Sequence, residues 1–185
     1  VLPATGKAQY CETDVICQNN GVEDQCRAEC LIIINGNRYC SGTLVATEGN
    51  NSESFVLTSA HCLRDGSNNF DSTFANKCIF YFGYNTPICD ANIVSSYERS
   101  ISGSKVASSH PGKDMLLLKL SQRPPVDYMT YESGWNIEQA PRGPVTCIHH
   151  PNGDLKKISI SDNDPSPISF AVDGLSEDTH WLVDV

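Results

Sequence analysis

Positive charge is scarce in this sequence. Its 13 Lys and Arg stand against 22 Asp and Glu, a net charge of −9. That balance argues against nucleic acid or an anionic membrane surface as the partner. No apolar run approaches the roughly 18 residues of a membrane-crossing helix. No segment has the period of an amphipathic helix longer than two turns, and no internal repeat is present. The opening Val1-Leu2-Pro3-Ala4 lacks a Met, a basic region and an apolar core. It therefore reads as a processed N-terminus rather than a leader peptide.

Cysteine, by contrast, is plentiful, with nine in 185 residues. Zinc sites favour tight Cys pairs combined with a second Cys or His pair. Only Cys26-x₃-Cys30 has such spacing, with no second pair nearby. Scattered cysteines at strand ends read as disulfides of a secreted or surface-exposed protein. Asn50-Asn51-Ser52 is the only glycosylation sequon, relevant in a eukaryotic source.

Strand signals dominate the rest. Leu31–Ile34 followed by Asn35-Gly36-Asn37 predicts a buried strand entering a hairpin, with 38–45 as its return. Phe55–Thr58 and 78–84 read as further strands, as do 115–120, 145–149, 156–160, 168–172 and 181–185. The serine-rich 95–112 is weakly patterned. Many short strands punctuated by Gly, Pro, Asn and Asp predict an all-β barrel or sandwich. The length suits one domain, or one and part of a second.

The chain is organised around Phe55-Val56-Leu57-Thr58-Ser59-Ala60-His61-Cys62, a strand running into a histidine locked against a cysteine. A histidine held at a strand end suits a general base, although a His beside a Cys is often only the neighbour of a structural bridge. Asp114 heads Met115-Leu116-Leu117-Leu118-Lys119-Leu120. A carboxylate entering a buried strand needs a partner, because an unpaired buried charge is costly. On spacing alone, a solvated loop residue beside Lys113 fits equally well. His149, His150 and His180 form a weak metal set, since neighbouring strand residues point to opposite faces. Structural roles are expected for all three, with no metal and no cofactor.

The segments C-S-G-T-L-V (40–45) and L-T-S-A-H-C (57–62) resemble the trypsin-like, chymotrypsin-fold serine endopeptidases. His61 matches the catalytic His of that family. Its catalytic Asp heads a D-x-x-L-L-x-L strand roughly fifty residues later, which points to Asp114. C-E-T-D-V-I-C (11–17) is similar to the C-x-x-D-V-x-C of lysyl endopeptidases. Ile148-His149-His150-Pro151 with Lys156-Lys157-Ile158-Ser159, and Thr179-His180-Trp181-Leu182-Val183, resemble two further segments of that branch. The resemblance implies a chymotrypsin-like double β-barrel, with the second barrel incomplete in this chain. It implies a secreted serine endopeptidase acting on protein or peptide substrates, with His61 as base and Asp114 as its orienter. Implied boundaries are an N-terminal segment at 1–30, a first barrel at 31–120, a connector at 121–143 and the start of the second barrel at 144–185.

Two departures qualify this. The family's G-(D/S)-S-G-(S/G)-P serine motif does not occur, so serine and oxyanion hole are expected in a C-terminal remainder. These 185 residues alone are then expected to be inactive. Phe170-Ala171-Val172-Asp173-Gly174 stands where lysyl endopeptidases carry F-x-x-W-G, which removes the ground for carrying lysine specificity over. By resemblance Cys40 pairs with Cys62 and Cys17 with Cys89, while Cys11 pairs with the C-terminal remainder. Cys26, Cys30, Cys78 and Cys147 are left and are expected to pair among themselves. A catalytically dead trypsin-like scaffold with a structural, adhesive or binding role is the alternative function. A small disulfide-stapled binding module is a third reading, disfavoured by the want of a self-contained core.

Overall fold

The computed structural model describes residues 7–18, 21–49, 52–91, 93–95, 99–137, 140–169 and 180–184. Its strands are β1 (Thr13–Asp14), β2 (Glu29–Ile34), β3 (Arg38–Val45), β4 (Phe55–Thr58), β5 (Cys78–Phe82), β6 (Arg99–Ser102), β7 (Ser104–His110), β8 (Met115–Leu120), β9 (Val145–His149), β10 (Lys157–Ser161), β11 (Ser166–Ile168) and β12 (His180–Leu182). A six-residue helix, α1, spans Glu23–Ala28.

Seven strands form one antiparallel sheet in the order β6-β5-β2-β3-β4-β8-β7. Its two edge strands, β6 and β7, are consecutive in the chain and joined through Gly103 alone. The sheet therefore has to curl until its edges meet, which removes most of the exposed edge. Gly103 makes that corner with φ +83°, a conformation that suits a residue without Cβ.

All six residues of β2 are buried, which explains the unbroken apolar run Leu31–Ile34. Its alternate side chains serve two cores. Ile32 and Ile34 face the barrel interior with Leu44, Val56, Phe80 and Leu118. Leu31 and Ile33 face outward into a second cluster closed by Tyr84 and Leu155. Each such side chain, fully buried, contributes roughly 1.5–3 kcal/mol. Gly42 has no room for a side chain: a Cβ there would lie 2.7 Å from both Ile32 Cδ1 and Val56 Cγ1.

β1, β10 and β9 form a separate three-stranded antiparallel sheet, and β11 pairs with β12. The early segment containing β1 thus joins the later part of the chain, with Thr13 opposite Ile158 and Asp14 opposite Lys157. The Cys17–Cys89 bridge fastens the same segment to the loop after β5. Residues 121–137 run along the barrel: Ser133 donates to the Leu44 carbonyl, and Ala46 donates to Ser133. Trp135 Nε1 adds a bond to the Ala46 carbonyl at 3.0 Å.

Two expectations change, and a third lies largely outside the described residues. The serine-rich 95–112 contains two strands, β6 and β7. Serine at inward position 104 hid the alternation; its hydroxyl donates to the Ala75 carbonyl at 2.7 Å and so satisfies a buried polar group. Of the strand expected at 168–172 only Ile168 lies in a described strand, β11; residues 170–179, with Phe170–Gly174 and Thr179, lie outside the described residues, as do Asn50 and Asn51 of the sequon. Lastly, Cys26, Cys30, Cys78 and Cys147 remain thiols instead of pairing. Cys30 stands opposite Phe82 and Cys78 opposite Ile34. That offset of four residues is about 13 Å of strand, too far for a bridge.

Candidate active site

The register of two strands builds the site. β4 ends at Thr58 where β8 begins, with Thr58 paired to Leu116. The residues just beyond those ends, His61 and Asp114, are thereby brought together although 53 positions apart. His61 lies in a short 3₁₀ turn, Ala60–Leu63, whose other members Ala60, Cys62 and Leu63 are buried. Three buried neighbours anchor the turn and leave the imidazole half-exposed. The Cys40–Cys62 bridge ties it to β3, with Cα atoms 6.3 Å apart, and Thr58 Oγ1 donates to the Ser41 carbonyl at 2.7 Å.

Asp114 is held from three directions. His61 Nδ1 lies 2.6 Å from Oδ2, and the His61 backbone N–H donates to Oδ1 at 2.7 Å. The Ala60 N–H donates to its carbonyl at 3.2 Å. Its backbone sits in the left-handed region at φ +50°, which Asp adopts more readily than most residues. The side chain is 14% exposed against 54% for His61. A carboxylate only accepts hydrogen bonds, so Nδ1 carries a ring proton, and in the neutral imidazole Nε2 is then the acceptor. That is the disposition a general base requires.

Beside His61 lies an open groove of about 430 Å³, lined by the Cys40–Cys62 bridge, Tyr39, Asn152 and Lys7. Its wall explains much of the I-H-H-P segment. The His150 N–H donates to Ser41 Oγ at 2.8 Å, docking the turn on β3. Gly153, at φ +75°, lies so close to Tyr39 that a Cβ would be 2.6 Å from the ring. His150 is buried and its Nδ1 is 2.9 Å from the Asp154 carbonyl. Burial, with help from Lys156, lowers its pKa to about 3, so it is a neutral structural imidazole.

Among the described residues, two groups bring three potential metal-ligand atoms together: Cys40, His61 and Cys62, and Cys17, Cys89 and Asp90. In each, two of the three are sulfurs already spent in a disulfide, which leaves no thiolate to coordinate. Neither group includes His149, His150 or His180. Sequence reasoning missed Lys7 at the groove, since nothing in the spacing of residues 1–30 ties it to His61. It also missed the buried pair Asp14 and Lys157, whose signal was present as an acid in one motif and a base in another.

A curled antiparallel barrel with His61 and Asp114 at its strand ends defines an all-β, chymotrypsin-like fold. A solved structure of the Rv3671c protease in its inactive form superposes with a TM-score of 0.54 at 15% identity, covering 91% of this chain and 69% of that one. The family described as lysyl endopeptidase, C-terminal domain, matches residues 5–184. The chain belongs to this family of trypsin-like proteases. A lysyl endopeptidase of Pseudomonas aeruginosa is 27% identical over 167 residues, covering 83% of this chain. The chain spans 34% of that relative's length.

Proposed function

We propose that this chain carries the base-and-orienter part of a secreted serine endopeptidase. His61 Nε2 takes the proton of an attacking serine hydroxyl and returns it to the leaving amine. Asp114 fixes the tautomer through Nδ1 and stabilises the imidazolium that forms in between. The observation that carries this reading is the double hydrogen bond from His61 to the two oxygens of Asp114. It holds the imidazole in one orientation before any substrate arrives.

The nucleophile and the oxyanion hole come from polypeptide outside these residues, joined in part through the exposed thiol of Cys11. The share of the relative's length that this chain spans agrees with such a remainder. Two disulfides support an oxidising, extracellular setting. Among the described residues no helix is long and apolar enough to cross a membrane.

The test is hydrolysis of a broad peptide library by the complete protein, with and without a serine-reactive phosphonate. Cleavage abolished by the phosphonate is the expected result. Failure of the complete protein to cleave any member would instead support the inactive-scaffold reading.

A further inference from the structure

We propose that the groove beside His61 reads an acidic side chain of the substrate close to the bond being cleaved, with Lys7 as the residue that selects it. This rests on the endopeptidase reading and names a feature of its substrate.

The groove is cationic in an acidic protein. Of its lining residues Lys7 and Arg38 are positive and none is a carboxylate, although the chain as a whole carries −9. Lys7 is exposed, and its ammonium lies 5.3 Å from the centre of the Tyr39 ring. It makes no ion pair with any described carboxylate. The segment that carries it is tethered, not loose. Ala8 N–H donates to Asp154 Oδ2 at 2.6 Å, and Asn152 Nδ2 donates to the Lys7 carbonyl at 3.4 Å. Asp154 itself is 1% exposed, with its other oxygen taken by the Leu155 N–H.

Arg38 contributes a second positive charge to the lining. Its guanidinium lies over the Phe74 ring, 4.5 Å from the centre, and donates to the Arg64 carbonyl. Its Nη2 is buried without a hydrogen-bond partner. A charge held in that way is screened less by water than an exposed one. The groove is thus an anion-favouring surface with one exposed ammonium, Lys7, lining the same groove as the imidazole. An extended peptide whose scissile carbonyl is within reach of His61 passes over it. Glutamate or aspartate is the natural complement there; lysine or arginine is repelled.

The experiment uses the complete protein and three sets of fluorescent peptides that differ only in carrying Glu, Gln or Lys at each position near the cleaved bond. Affinity is read by anisotropy in a His61→Ala background, where no hydrolysis is needed. Cleavage is read separately as kcat/KM in the native protein. At one position the Glu peptide should bind about threefold or more tighter than the Gln peptide, and the Lys peptide more weakly still. The difference should shrink in about 1 M salt, where the screening length falls to about 3 Å. Lys7→Glu should invert the order, and Lys7→Gln should flatten it. Equal binding of all three peptides at every position would overturn the inference. So would a preference for Glu that survives Lys7→Glu. Selective binding without cleavage would sustain the groove assignment and remove the protease reading instead.

Discussion

Lys157 Nζ and Asp14 Oδ1 meet at 2.5 Å as an ion pair that is almost fully buried, 143 positions apart in the chain. Each belongs to a different motif: Asp14 to C-E-T-D-V-I-C and Lys157 to the segment after I-H-H-P. They are also ladder partners between β1 and β10. The second oxygen of Asp14 accepts the Asp90 N–H at 3.1 Å, beside the Cys17–Cys89 bridge. One carboxylate therefore joins the early segment, the loop after β5 and the second sheet.

Removing one partner of such a pair leaves the other charge buried alone, which costs about 3–5 kcal/mol. Asp14→Asn or Lys157→Met should each lower the free energy of urea unfolding by that order. The double substitution Asp14→Leu with Lys157→Met should recover much of the loss, because two apolar groups leave no orphaned charge. A single variant costing less than about 1 kcal/mol would contradict this reading.

His150 gives the protein an acid-sensitive element. Burial lowers its pKa to about 3 from 6.5, so the unfolded chain takes up a proton first as pH falls. The stability it contributes is complete above pH 6.5 and is lost on the way down to pH 3, at about 1.4 kcal/mol per unit. Glu29 acts in the opposite sense. Burial raises its carboxyl to about 8 from 4.5, against the pull of the Thr43 hydroxyl and Lys156. Its contribution is present below pH 4.5 and fades as pH rises to about 8. Urea unfolding across pH 3.5–6.5 should show a steeper slope for the native protein than for His150→Gln, by about that amount per unit. Parallel slopes would mean that His150 is protonated in the fold.

How much of this was legible from residues alone depends on which force shaped each part. Leu31–Ile34 declared itself because both faces of β2 are covered, and a strand covered on both faces has no polar positions to interrupt its apolar run. β6 and β7 did not, because a hydroxyl-to-carbonyl bond at Ser104 replaces apolar burial there. His61 and Asp114 stood out by motif and spacing. That they touch follows from the β4–β8 register, which no local pattern specifies. The groove was invisible for the same reason. Lys7, Tyr39 and Asn152 line one groove only because the I-H-H-P turn folds back on β3.

The thiols supply an independent check on the fold. Cys11 is exposed, while Cys30 and Cys78 are buried. Burial raises the Cys78 thiol to about 12 and that of Cys30 well above its ordinary value. Burial also raises Cys26 and Cys147, which are more accessible. Because the thiolate is the reactive form, native-state alkylation of residues 1–185 by themselves, where Cys11 has no disulfide partner, should modify Cys11 first. Cys26 and Cys147 should follow slowly, and Cys30 and Cys78 should react only after denaturation. Peptide mapping by mass spectrometry reads the order. Rapid native labelling of Cys30 would place β2 elsewhere than in the barrel wall.

Asp114→Asn is the sharpest test of the site, because it changes the chemistry and spares the fold. Asn tolerates the left-handed backbone that Asp114 adopts, and its amide oxygen can still accept the His61 backbone N–H now bonded to Oδ1. Its NH₂ group then faces Nδ1, where Oδ2 lies now. That amide can only donate there, so the imidazole must move its proton to Nε2. The base then has no free lone pair toward the serine. In the complete protein, kcat should fall by a factor on the order of 10⁴, with circular dichroism and unfolding midpoint little changed. His61→Ala should lower it at least as far, and combining the two should add little, since the residues act as one unit. Retention of activity within about tenfold in Asp114→Asn would mean that the tautomer is fixed by something other than this carboxylate.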